Sequence, residues 1–183
     1  MKNSGNKKVL MIVAPKNFED TEFFEPKTIF EINGAEITVA STAEIAEGSH
    51  GRRVKTDLEI KNAKAQDYDA LVIAGGTGVI DFLWEDPDLR NLLQDADKRG
   101  KIIGAICAAP PVLAKAGLLK SKNATMYPWD DGIKELTSKG AIYINEEAVV
   151  SGNIVTGKNQ EASQVFGLKI CDVLGIKKYQ DTV

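Results

Sequence analysis

The sequence predicts an α/β protein with a mostly parallel, doubly wound sheet that is covered by helices on both faces. Short, continuous apolar runs recur along the chain, and the early ones alternate with longer helix-like stretches. A continuous apolar run indicates a strand buried on both faces, and β–α alternation indicates parallel pairing. With 183 residues and 43% hydrophobic content, the chain is long enough for one substantial core. We therefore expect a single domain over residues 1–183, with its core at about 7–175.

The elements follow one another in a regular order. The apolar runs that predict strands lie at residues 9–14, 36–40, 70–74, 102–106, 141–144 and 149–155, the last broken into a hairpin by Gly152 and Asn153. The stretches that predict helices lie at residues 21–33, 87–99, 111–120 and 159–174. Glycines stand just after or near the ends of these helices, as helix C-termini favour. Ligands of such folds bind beyond the carboxyl ends of the strands, which directs attention to the loops there.

Composition and charge exclude several classes of function. The net charge is −3, from 26 acidic and 23 basic residues spread along the chain, so no basic stripe suggests a nucleic-acid partner. The first residues are polar, and no apolar run approaches the ~20 residues that span a membrane. We expect a cytoplasmic protein without a membrane partner. The sequence has no CxxC, paired-histidine or HExxH motif, so we expect no metal site and no cofactor.

Cys107 stands where the strand at 102–106 ends and a helix begins. A sharp strand-to-helix turn lifts a side chain out of the sheet, and a helix N-terminus favours a thiolate. Small neighbours, including Ala108, fit such a turn. The alternative is that Cys107 packs as a small hydrophobe. Cys171 lies between Leu168 and Leu174 on the apolar face of the last helix, which predicts core packing.

Two further loops reach the same edge of the sheet. The first holds four acids around the start of a helix, among them Glu19 and Glu22; they either complement the helix dipole or direct one carboxyl inward. The second holds Gly75, Gly76 and a third glycine directly after a strand. It is either a flexible turn or a source of backbone N–H donors for a substrate oxygen.

These three motifs together make the chain resemble the ThiJ/PfpI superfamily. The resemblance runs from residue 7 to 175 and includes the DALVIAGG and GKIIGAICAAP blocks. It implies a flavodoxin-like sandwich in which Cys107 is the reactive centre and a glutamate points toward its sulfur. The spacing to the following proline favours Glu22 over Glu19, and Gly76 and Ala108 would supply oxyanion donors. We therefore predict a protonated Glu22 beside a Cys107 thiolate, an arrangement that avoids repulsion between two negative charges.

Departures from the family pattern direct the functional prediction. Ala108 follows the cysteine where the protease-like branch has histidine, Ile80 stands where that branch has an acid, and Tyr127 stands where the deglycase branch has a histidine. His50, the one histidine, falls in a polar loop and is interpreted as a solvated residue. Without a histidine base, amide hydrolysis lacks its usual proton shuttle.

We therefore expect a cysteine-dependent stress-protection protein of glyoxalase or deglycase type. Methylglyoxal would form a hemithioacetal on Cys107, Glu22 would act as acid and base, and Tyr127 would orient the substrate or thiol. One alternative is a redox role in which Cys107 oxidises to a sulfinic acid. A second is a weak intracellular cysteine peptidase, and a third is a binding member without chemistry.

The superfamily resemblance also implies a homodimer or larger homo-oligomer. Five apolar residues are compatible with an interface, although helix packing explains them equally well: Phe23, Phe24, Phe82, Leu83 and Trp84.

Overall fold

The structure is a computed structural model that describes residues 6–176. The strands in this range are β1 (Lys8–Ile12), β2 (Lys16–Phe18), β3 (Glu36–Ser41), β4 (Ile45–Gly48), β5 (Arg53–Lys55), β6 (Leu58–Glu59), β7 (Ala70–Ile73), β8 (Ile102–Ile106), β9 (Asn123–Ala124), β10 (Ile142–Tyr143), β11 (Ala148–Ser151) and β12 (Ile154–Gly157). The α-helices are α1 (Asp20–Ile32), α2 (Thr77–Phe82), α3 (Pro87–Lys98), α4 (Pro110–Lys115), α5 (Asp130–Ser138) and α6 (Ser163–Leu174).

Seven strands form the central sheet in the order β11-β12-β8-β7-β1-β3-β6. Every neighbouring pair is parallel except β11 and β12, which form the predicted antiparallel hairpin. The predicted α/β class and mostly parallel sheet are confirmed. Strand order reverses beside β1, so the loops after β1, β7 and β8 meet at one edge.

Two apolar clusters cover the two faces of this sheet. Along β1, Leu10 and Ile12 belong to the cluster that includes side chains of α3, α4 and α5, whereas Val9 and Met11 belong to the cluster that includes α1 and α6. Successive strand residues point to opposite faces, and all four of these side chains are fully buried. This arrangement explains why the strand sequences are continuously apolar.

Several peripheral elements differ from the sequence prediction. The run at 141–144 forms only β10, which pairs with β9 outside the central sheet. The helix predicted at 111–120 ends at Lys115, because the chain turns through Gly117 at φ 81. The short helices α2 and α5 and the sheet of β2, β4 and β5 were not predicted. In α5 only Gly132 and Leu136 are buried, so its apolar pattern is too sparse to detect.

The five apolar residues that could have formed an interface are mostly accounted for by packing. Phe23 and Leu83 are fully buried, and Phe24 lies under the Arg52 guanidinium, 3.3 Å from the ring centroid. Trp84 packs against the cluster on the α3 side, and Phe82 remains 41% exposed. Within the described part of the chain, no helix combines the length and apolar character needed to cross a membrane.

Candidate active site

Cys107 lies at a strained turn directly after β8. Its φ is 61°, in the left-handed region that residues other than glycine seldom adopt. Its backbone N–H donates to the Gly157 carbonyl at 3.0 Å, and the Ala109 N–H closes the turn onto the Ile106 carbonyl at 3.0 Å. The thiol is half-buried and faces out of the sheet. The chain thus has the backbone geometry of a nucleophile elbow.

Glu22 is the carboxyl that reaches this thiol. It lies in the first turn of α1, is fully buried, and contacts the Cys107 thiol and the Gly75 backbone. Among the described residues, neither of its oxygens has a partner in full hydrogen-bonding geometry. A buried carboxyl with unmet hydrogen-bonding capacity beside a thiol is costly for folding, which is typical of a functional group.

The two groups titrate as a coupled pair. Burial raises the pKa of Glu22 from 4.5 to about 8, so the carboxyl is protonated at pH 7, as predicted. Burial also raises the pKa of the Cys107 thiol, and the negative charge of an ionised Glu22 adds to that effect. The prediction of a resting thiolate is therefore wrong. Both groups therefore favour their neutral forms at pH 7, and a negative charge on either one disfavours ionisation of the other.

Two backbone N–H groups near the sulfur partly offset the effect of burial on the pKa of Cys107. Those of Gly76 and Ala108 face Cys107 and lower its pKa, in part offsetting burial. The six-residue helix α4 begins with Pro110 and Pro111, which have no N–H to offer. The donors near the sulfur thus come from the glycine loop and the elbow.

The glycine loop makes the close approach possible. A Cβ at Gly75 would overlap the Glu22 carboxyl and the Cys107 Cβ. Gly76 has φ 101°, and a Cβ there would overlap the backbone of the acidic loop. The Glu19 N–H donates to the Gly75 carbonyl at 2.9 Å, so the two loops are joined directly. Gly75 is thus required for close approach, and Gly76 is required both for close approach and for its positive φ.

Glu19 and Glu22 have different surroundings although only one helical turn separates them. Glu19 caps α1, and its Oε2 accepts the Glu22 N–H at 2.9 Å. Its side chain is 14% exposed and lines the cavity outside Cys107, whereas Glu22 lies beneath that cavity. The structure therefore brings Glu22 to the thiol and leaves Glu19 at the cavity wall.

A cavity of about 470 Å³ opens beside the thiol. Its lining residues are Glu19, Ser49, Gly76, Thr77, Ile80, Cys107, Ala108, Tyr127 and Trp129. Tyr127 is 44% exposed, and its N–H donates to the Cys107 carbonyl at 3.1 Å. Within residues 6–176, no group of three His, Cys, Asp or Glu side chains is arranged to hold a metal ion.

His50 has acidic neighbours that the sequence did not reveal. Its Nδ1 lies 3.4 Å from Asp20 Oδ2 and 3.6 Å from Glu19 Oε1, and the buried Asp20 carboxylate accepts its backbone N–H at 3.0 Å. The side chain is 71% exposed and does not line the cavity. The predicted solvated position is correct, but the turn that carries His50 is fastened to the start of α1.

The sequence analysis did not predict four of the cavity residues as site residues: Ser49, Thr77, Ile80 and Trp129. Ser49 belongs to the turn after β4, in the small sheet that was not predicted. Trp129 follows β9, which lies outside the central sheet, so the rule about strand ends gave no signal for it. Its position two residues after Tyr127, in the segment that already held a candidate, was the one available hint.

Residues 7–173 match the family model described as the DJ-1/PfpI family. The chain is 41% identical to the uncharacterized protein MJ0967 of Methanocaldococcus jannaschii, over 92% of this chain and 82% of that protein. A solved ThiJ/PfpI domain protein from Brachyspira murdochii superposes with a TM-score of 0.88 at 32% identity, covering 93% of this chain and 98% of that one. Both the fold and the overall sequence of the chain thus have parallels among known proteins.

Relatives whose names state a function are named as three kinds of enzyme: a glyoxalase, a deglycase and a putative cysteine protease. The glutathione-independent glyoxalase DJR-1.2 of Caenorhabditis elegans is 29% identical, with 93% of this chain and 90% of that protein covered. The deglycase PH1704 of Pyrococcus horikoshii is 31% identical, over 82% and 89%. The putative cysteine protease YraA of Bacillus subtilis is 33% identical, over 92% and 99%.

Proposed function

The chain belongs to the DJ-1/PfpI family, and from this premise we propose that it converts small reactive carbonyl compounds, methylglyoxal among them, into hydroxy acids on Cys107. The observation that carries the proposal is the contact between the buried Glu22 carboxyl and the half-buried Cys107 thiol, which lines an open cavity. Relatives named glyoxalase and deglycase support the same chemistry.

The first step needs no base other than the pair itself. The Cys107 sulfur bonds to the aldehyde carbon of methylglyoxal, and the thiol proton passes to the aldehyde oxygen, which gives a hemithioacetal. The N–H groups of Gly76 and Ala108 would stabilise negative charge on that oxygen during the addition. Glu22 would carry the proton between the two atoms.

The second step is a proton transfer between neighbouring carbons. The Glu22 carboxylate would remove the proton from the former aldehyde carbon and return it to the former ketone carbon. The hydroxyl proton of the hemithioacetal would pass to the former ketone oxygen, which leaves a thioester of lactate. Water then breaks the C–S bond, so methylglyoxal and one water yield lactate and the free thiol. A group with a pKa of about 8 suits this task because both of its protonation states are accessible near neutral pH.

A redox role is the second candidate, and the unmet carboxyl oxygens of Glu22 favour it. A Cys107 sulfinate would accept a hydrogen bond from the protonated Glu22 carboxyl and from the Gly76 and Ala108 N–H groups. A peptidase role has less support. The single histidine of the sequence, His50, does not line the cavity and so offers no proton to a leaving amine.

One comparison separates these functions. Wild type, Cys107→Ala and the control Cys171→Ala are assayed for lactate formation from methylglyoxal, and their intact masses are measured after graded peroxide. We expect turnover in wild type and Cys171→Ala and only background in Cys107→Ala. A stable two-oxygen mass gain on Cys107 without any turnover would replace the enzymatic proposal with the redox one.

A further inference from the structure

The cavity outside Cys107 is larger than a three-carbon carbonyl compound requires. Its volume of about 470 Å³ falls within the range that accommodates drug-sized ligands, about 300–1,000 Å³. Methylglyoxal bonded to the sulfur would occupy only a minor part of it. The chemistry of the remaining cavity walls therefore indicates which groups the substrate carries in addition to its reactive carbonyl.

One wall of the cavity is aromatic. Trp129 and Tyr127 line it, with ring centroids 6.1 Å apart. Trp129 also stacks on Trp84 at 6.3 Å with an interplanar angle of 17°. Ile80 adds an aliphatic side chain that is 38% exposed. We call Tyr127 and Trp129 the aromatic wall, together with Trp84, which stacks on Trp129 but does not itself line the cavity.

The aromatic wall is fastened to the elbow that holds the sulfur. The Trp84 Nε1–H donates to the carbonyl of Ala108, the residue after Cys107, at 2.9 Å. The Tyr127 N–H donates to the Cys107 carbonyl at 3.1 Å, and the Trp129 N–H donates to the Tyr127 carbonyl at 3.0 Å. The distance from sulfur to wall is thus set by the backbone of the elbow itself.

Further contacts hold the two indoles in place from behind. The Trp129 ring lies against Gly132 of α5, where any Cβ would overlap it. Lys115 Nζ lies 5.5 Å from the centroid of the Trp84 ring and is held by Glu85 and Glu135 at 2.7 and 2.8 Å. A preorganised aromatic surface binds a flat apolar group with little loss of side-chain freedom.

The charges of the cavity exclude acidic substrates. Among its lining residues, Glu19 is the charged side chain, and no Lys or Arg accompanies it. A substrate that carries a carboxylate would be repelled by Glu19 and by the negative charge that develops on the thiol. These charges favour a neutral or cationic substrate over an anionic one.

We infer that the preferred substrates are neutral α-oxoaldehydes with an aromatic substituent, which Trp129 selects by stacking. This inference rests on the proposed function. The aldehyde carbon bonds to Cys107 and the ring lies on Trp129. With phenylglyoxal as the probe, the same proton transfer and thioester hydrolysis convert the substrate and one water into mandelate.

The first test compares initial rates for phenylglyoxal, methylglyoxal and glyoxylate. Wild type should give a kcat/KM for phenylglyoxal about tenfold above that for methylglyoxal, with glyoxylate the poorest, since an aromatic pair and buried ring area contribute at that level. In Trp129→Ala the ratio of phenylglyoxal to methylglyoxal should fall about tenfold, and Trp129→Phe should restore most of it. Phe82→Ala, which removes an exposed aromatic side chain outside the cavity, should leave the ratio unchanged.

The second test does not depend on turnover. Acetophenone, an aromatic ketone without the aldehyde, should slow the alkylation of Cys107 by iodoacetamide in wild type and in Trp129→Phe, but not in Trp129→Ala. Absence of protection in wild type, or equal protection in Trp129→Ala, would overturn the inference, as would an unchanged substrate ratio. If methylglyoxal is not converted at all, the proposed function fails, and the protection experiment still decides whether the wall binds aromatic groups.

Discussion

The two cysteines of this protein lie in environments that differ in almost every respect. Cys171 is fully buried in α6, within the apolar cluster that includes Phe166 and Ile170. Cys107 has a left-handed backbone, a half-buried thiol at a cavity, and the Glu22 carboxyl against its sulfur. Because the side chain is the same in both places, we expect any difference in reactivity to come from exposure at the cavity, the backbone turn and the neighbouring carboxyl.

The largest expected difference is in alkylation of the native protein. At pH 8.5, iodoacetamide should modify Cys107 at least ~10³-fold faster than Cys171, since Cys171 becomes accessible only through opening of the core, which costs several kcal/mol. Peptide mass spectrometry after timed labelling measures both rates. In urea the two sites should react at similar rates, and similar rates in the native protein would remove the basis of the comparison.

Substitution of Glu22 tests whether its carboxyl transfers protons at Cys107. Glu22→Gln should lower kcat for methylglyoxal about 10²-fold, because it removes the proton-transfer group while keeping the size of the side chain. Glu25→Gln, which changes an exposed carboxyl one turn further along α1, serves as the control and should stay within about twofold of wild type. Equal kcat values in the two variants would assign the proton transfer to another group.

The same substitution should reveal the cost of burying Glu22. Its pKa rises from 4.5 to about 8 on folding, so the folded state binds more protons than the unfolded state between these values. Its contribution to stability is therefore fully present below pH 4.5 and is lost as the pH rises toward 8. Between pH 4 and pH 7 the free energy of unfolding should fall by about 3 kcal/mol more in wild type than in Glu22→Gln. Urea titrations at the two pH values measure it, and parallel pH dependences would contradict the raised pKa.

The smallest expected effect comes from the histidine. His50→Ala should change kcat/KM for methylglyoxal by less than about twofold, because its side chain is exposed and does not line the cavity. A tenfold loss of kcat/KM would show that a histidine base acts on Cys107. His50 would then have to be added to Cys107 and Glu22 as a third residue of the site.

The sequence predicted the sheet and the elbow because both depend on local patterns. Continuous apolar runs marked the buried strands, and small residues beside Cys107 marked the turn. The attachment of His50 to Asp20 and of Trp84 to the Ala108 carbonyl joins positions 30 and 24 residues apart. Such contacts depend on how loops pack across the sheet edge, and no spacing rule in the chain encodes them. The raised pKa of Cys107 was missed for the same reason, since burial is a property of the folded site.

The most direct test of the Cys107–Glu22 pair is the rate of Cys107 alkylation as a function of pH. We predict that the wild-type rate rises only at a higher pH than for an ordinary thiol, because burial and Glu22 both raise the pKa of Cys107, and that Glu22→Gln moves this rise to lower pH. An ordinary thiol titration in wild type that Glu22→Gln leaves unchanged would show that the two groups are not coupled and would contradict the proposed role of the pair.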